Sequence, residues 1–179
     1  MAPASWHTRV VAFELAQVNV GRLVAPLDDP QIAAFVAALD PVNAAADHAA
    51  GFVWRLQTEE GNATSIQAFS FDIVGSAGII INMSVWSDVE SLGAFVYGDL
   101  HRQILRRRRE WFQPMAEAWM ACWWVPNGHR PTTDEAEERV QHLRTHGPTP
   151  HAFTLKNHFP RPGSDTSVRL DHPDWLCPA

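Results

Sequence analysis

The chain of 179 residues contains only two cysteines, one tyrosine and one lysine. Cys122 and Cys177 are too few for a disulfide framework and show no metal-binding spacing. Cys122 lies in an apolar run and reads as an inert core thiol. Charged residues make up 19%, too few for a disordered acidic chain. No apolar stretch approaches the ~20 residues of a membrane-spanning helix. The opening MAPASWHTRVV lacks the charged start and apolar stretch of a secretory signal. A soluble cytoplasmic protein with no membrane partner is expected. Also missing are G-x-S-x-G, a P-loop and G-x-G-x-x-G, so hydrolase, NTPase and dinucleotide-enzyme readings lack support.

Aromatic bulk, by contrast, is plentiful. Eight tryptophans in a chain that is 46% apolar call for a thick core or a roomy aromatic-lined cavity. The length fits one domain. Lys156 stands alone against 13 arginines, and four of these are consecutive, Arg106 to Arg109, in a chain of net charge −6.

Alternation predicts a first strand at 12–20. A helix follows at about 30–50, with Asp29 as N-cap, Pro30 at the first helical position and Pro41 as a kink or restart. Further strands are expected at 52–57 and 79–86, with 58–78 irregular. Ser87 and Glu90 have the spacing of a capping box. The helix that follows is interrupted at Gly98–Asp99, and Asp99 can cap the arginine segment. A fourth strand is expected at 117–125. Thr132 and Glu135 form a second capping box, opening a helix that Gly147–Pro148 stops.

The predicted fold class is α+β: a ferredoxin-like β-α-β-β-α-β sheet forming a dimeric α/β barrel, with an extra C-terminal helix and tail. Residues 1–147 would be the domain and 148–179 a Pro-rich tail.

On a continuous helix, successive residues are about 100° apart. Relative to Leu100, the apolar Ile104, Leu105, Trp111 and Phe112 define a buried face. Arg106, Arg107 and Arg109 fall at or beyond its edges, while Arg108 and His101 fall within it. The run therefore splays around the helix, and with an acidic chain this argues against a nucleic-acid grip, so no nucleic-acid partner is expected. A buried Arg108 must meet an acid (Glu14, Asp88 or Glu117), snorkel to the rim, or face a cavity that takes an anionic or carbonyl ligand.

The expected sheet has helices on one face, over Ala16, Val18, Val20, Ile79, Ile81, Met83 and Val85. The opposite face would carry Gln17, Asn19, Asn82, Ser84 and Trp86. From the fourth strand it would carry either Trp119 and Trp123 or Met120, Cys122 and Trp124; Trp123 is retained as the candidate. Such a face cannot comfortably meet water. A second subunit could cover it, leaving amides among aromatics in a small-molecule cavity, or these groups could simply pair across a dimer interface.

The segments AFELAQVNVGRLVAPLDDP, FVAALDPVN, GFVWRLQ, NMSVW, FVY and RRREWF, with WWVP and GHRPT, together resemble a bacterial domain-of-unknown-function family of the dimeric α/β-barrel superfamily. That resemblance covers about residues 12–155 and implies a homodimeric ferredoxin-like barrel. NMSVWSDVESLGAFVYGDLH is distantly similar to a segment of antibiotic-biosynthesis and haem-degrading monooxygenases. In those, an Asn on the first strand, a Trp ending the third and a His on the next helix surround the substrate. The matching positions are Asn19, Trp86 and His101.

The expectation is a small-molecule enzyme of monooxygenase-like type, acting on a hydrophobic substrate in a pocket between sheet and helices, without a cofactor or with haem. Asn19, Gln17 and Asn82 would hold a substrate oxygen, beside Ser84 and Trp123, and Trp86 would form an apolar wall. His101 would act as acid/base or axial ligand, and Arg108 would stabilise an enolate or carboxylate. The alternatives are a non-catalytic small-molecule or haem-binding dimer and a dimer whose polar face is merely structural. Glu138, His142 and His146 recur every fourth residue and His151 follows, a pattern able to hold Zn²⁺. Their charged neighbours favour a solvated face, and no metal is expected.

Overall fold

The computed structural model describes residues 12–164. Its sheet has four strands, β1 (Phe13–Arg22), β2 (Phe52–Arg55), β3 (Ile79–Trp86) and β4 (Met120–Pro126). The helices are α1 (Ala33–Asp47), α2 (Val89–Val96), α3 (Asp99–Arg107) and α4 (Thr133–His146). The fold is mixed α+β, with strands ordered β2-β3-β1-β4 and every neighbouring pair antiparallel. No helix among the described residues is long and apolar enough to cross a membrane.

Alternation along β1 and β3 sets the two faces of the sheet. Ala16, Val18 and Val20 share a buried cluster with Ile81, Met83, Val85, Ala121, Trp123 and Val125. This face is covered by α4, through Ala136, Val140 and Leu143, and by Phe69 from the irregular 56–78 segment. The other face carries Leu15, Trp86 and Cys122, packed against Ala46 of α1 and Val89 and Leu92 of α2. The expected faces are therefore exchanged. The amide-bearing face lies under α1–α3, and the aliphatic face is closed by the C-terminal helix. Both are covered from within one chain.

Asp72 anchors the irregular segment. It is 1% exposed, and its carboxylate accepts from Arg22 of β1 at 2.7 Å and from Arg144 of α4 at 3.0 and 2.8 Å. A buried carboxylate needs such partners, because desolvation alone would neutralise it.

Local signals shift by a few residues. Asp29 accepts from Gln31 N in a turn, and α1 begins only at Ala33. Pro41 does not break α1, whose two halves are held by buried Phe35 and Ala46. The cap of α2 is Asp88, whose Oδ1 accepts from Ser91 N at 2.7 Å. Ser87 instead donates to Asp88 Oδ2. Neither Asp99 nor any other side chain caps α3, which starts after Gly98. Thr132 caps α4 as expected, but the Glu135 carboxylate bonds Trp123 and His129.

The segment after α4 belongs to the body. Phe153 pairs with Cys122 of β4, and Ala152, Phe153 and Leu155 are buried. The remainder of the expected tail, 165–179 with Cys177, lies outside the described residues. Cys122 is fully buried, which pushes its thiol up to about 12, so it is inert at neutral pH.

Candidate functional site

Between the amide-bearing face and α1–α3 lies a cavity of about 920 Å³. Its floor is the period-2 set on β1 and β3. Register places Gln17 opposite Ser84 and Asn19 opposite Asn82. Phe35, Leu39 and Val42 of α1 and Leu92, Phe95 and Ile104 of α2 and α3 supply apolar wall. The segments 113–120 and 154–157, with residues 55–56 and 62–64, also line it.

The floor is partly self-satisfied. Gln17 Nε2 donates to Ser84 Oγ at 2.8 Å and, more weakly, to Asn82 Oδ1 at 3.4 Å. Trp86 Nε1 also donates to Ser84 Oγ at 2.8 Å. Ser84 thus accepts two hydrogen bonds, and its own O–H has no acceptor among the described residues. The Asn19 amide likewise has no partner among the described residues. These groups can receive a ligand's oxygen.

His101 enters from α3. Its Nδ1 lies 3.1 Å from the Val96 carbonyl. A carbonyl only accepts, so Nδ1 carries the proton and Nε2 keeps its lone pair. Burial holds the imidazole below its ordinary value of 6.5, with the Val96 bond offsetting part of that effect. At neutral pH the ring is uncharged and can accept a proton. Phe95 sits between His101 and Trp86, 5.1 Å from each ring, stacked on the indole.

Arg108 also lines the cavity. It meets none of the three acids considered from sequence. Glu14 accepts from Gly128 N and lies near Arg130, and Asp88 caps α2. Among the described residues Arg108 bonds only the Leu105 carbonyl, at 3.1 Å, leaving donors free for an anion. The helical projection fails beyond Arg107, because α3 ends there and a short 3₁₀ turn spans Arg108–Glu110. Leu100, assigned to the buried face, is 41% exposed. Arg107 pairs with Glu110 on the surface.

Seven of the eight candidate residues line this cavity: Gln17, Asn19, Asn82, Ser84, Trp86, His101 and Arg108. Trp123 is the correction. It lies on the opposite face, 1% exposed, with Nε1 bonded to Glu135 Oε1 at 2.7 Å. β4 contributes Met120 to the lining instead, opposite Asn19. The contribution of Thr154 to Asn157 carried no signal beyond proline and polar content.

The mixed α+β sheet, roofed by α1–α3, thus encloses a cavity with a polar floor and apolar walls. The family described as Domain of unknown function (DUF3291) matches residues 14–169, and the chain belongs to it. No curated protein matches the chain. A crystal structure of a protein of unknown function from Nitrosomonas europaea is similar at 11% identity, with a TM-score of 0.40, covering 68% of this chain and 95% of that one.

Proposed function

We propose that the chain is a small-molecule enzyme of monooxygenase-like type, acting on a hydrophobic substrate with an oxygen-bearing head group. The observation that carries this reading is convergence: an uncharged imidazole, a guanidinium that pairs with no acid among the described residues and an amide floor line one apolar-walled cavity. The strand order β2-β3-β1-β4 supports a ferredoxin-like relationship to the dimeric α/β-barrel superfamily. Sheet-to-sheet pairing with a second copy would require displacing α4, and the cavity reading does not depend on it.

His101 Nε2 would remove a proton from a phenolic or enolic substrate. Arg108 and the Asn19 amide would stabilise the resulting oxyanion. Molecular oxygen is the oxidant. An activated CH₂ loses both hydrogens and becomes C=O; one oxygen atom enters the carbonyl and the other leaves as water. A second reading, haem binding, is favoured by the Nδ1–carbonyl bond, which is how ligating imidazoles are oriented. Bound haem would supply oxygen activation, with His101 as the residue to hold it.

Oxygen consumption with a panel of polycyclic phenols and anthrones tests the first reading. Turnover by the wild type, lost in Asn19→Ala and His101→Ala with the fold retained, is expected. Binding without turnover of any panel member would leave a non-catalytic binder. A Soret band formed on haem titration, and lost in His101→Ala, would favour the second reading.

A further inference from the structure

On the far side of the molecule, α4 turns Ala136, Val140 and Leu143 into the core. Its outer face stacks Glu138, His142 and His146 one turn apart. Gly147, at φ +71°, ends the helix, and the chain doubles back to bring in His151. One ligand atom from each of Glu138, His142 and His151 lies within 4.8 Å of the others. His151 Nε2 is 2.8 Å from Glu138 Oε1. The His146 and His151 rings are each centred 4.6 Å from the His142 ring.

We propose that Glu138, His142 and His151 form a binding site for a divalent transition-metal ion of the zinc type. Imidazoles with a carboxylate are the donor set such ions take. Bond lengths of about 2.0–2.1 Å put tetrahedral ligands about 3.3 Å apart, a contraction that exposed Glu138 and His151 and half-buried His142 reach by small rotamer changes. Both supports are fixed. The helix is held by its buried face, and the loop by the Thr149–Ala152 and Cys122–Phe153 bridges. The ion would therefore tie α4 to the loop and, through Phe153, to β4.

Two groups compete with the ion. Thr149 Oγ1 is 2.9 Å from His142 Nε2. The Arg139 guanidinium contacts His151 and lies 3.5 Å from Glu138. Arg139 is also 3.9 Å from Glu135, which can take it over when the ion enters.

The test is calorimetric titration of the full chain, free of any added histidine tag, with zinc chloride, alongside thermal melts. One ion per chain and a raised Tm are expected. His142→Ala and His151→Ala should each weaken binding at least about tenfold, and Arg139→Ala should tighten it. His48→Ala, remote from the cluster, should change nothing. No saturable binding, or equal binding by the His142→Ala/His151→Ala double variant, overturns the proposal.

Discussion

His101 Nδ1 donates to the Val96 carbonyl over 3.1 Å, and that bond decides which imidazole nitrogen is left for chemistry. Burial lowers the ring's proton affinity, and the Val96 bond raises it by less. If Nε2 is the base, the acid limb of kcat/KM lies below pH 6.5 and disappears in His101→Gln. That variant should lose roughly 10²–10⁴-fold in kcat/KM. An acid limb at or above pH 6.5, or one that persists unchanged in His101→Gln, would remove His101 from the reaction.

The same shift has a stability consequence. The unfolded chain binds the proton more readily than the folded one. His101 therefore opposes folding progressively as pH falls through the unfolded value of 6.5 toward the lower folded value. Urea midpoints measured at pH 7.5 and 5 should show a larger drop for the wild type than for His101→Gln.

Ser84 Oγ accepts from both Gln17 and Trp86. Ser84→Ala strands the Trp86 N–H, in a residue 1% exposed, while Gln17 retains a weaker acceptor in Asn82. A stranded buried donor costs about 1–3 kcal/mol. Urea denaturation should show a loss of that size, together with weaker ligand binding. Unchanged stability would mean the indole finds another acceptor.

Asp72 is held below the ordinary carboxylate range. Burial pushes it up, but the hydrogen bonds from Arg144 and Arg22 and their charges outweigh that. Its contribution is present above the unfolded value, near 3.8, and is lost as pH falls through the lower folded value. Asp72→Asn should cost about 3–5 kcal/mol, because two arginines lose a buried partner. Denaturation at pH 7 measures it, and a loss under 1 kcal/mol would contradict the anchoring role.

Trp123→Phe separates the two faces of the sheet. It removes the bond to Glu135 and should lower stability by about 1.5–3 kcal/mol. Ligand affinity in the cavity should stay as in the wild type, measured by calorimetric titration with 2-naphthol. Lost affinity with stability intact would return Trp123 to the site.

Period-2 alternation made β3 legible to its end residues and placed Gln17, Asn19, Asn82, Ser84 and Trp86 on one face. Alternation says which side chains share a face, but not what covers it. The exchange of faces follows because Ala136, Val140 and Leu143 make an inward stripe on α4 whose destination helical spacing does not give. In β4, Cys122, Trp123 and Val125 are buried toward both faces, so no pattern could choose between Trp123 and Met120. Arg108 was placed in the cavity by a projection that breaks down at Arg107, where the backbone tightens. His151 joins Glu138 and His142 only through the turn at Gly147, which helical spacing alone does not reveal.

A crystal structure of the protein with 2-naphthol, a small phenol, tests the account most directly. The account predicts density between the sheet and α1–α3, with the phenol oxygen within hydrogen-bonding distance of Asn19, Ser84 or His101. Helices collapsed onto Gln17 and Asn82, with no room for a ligand, would contradict it.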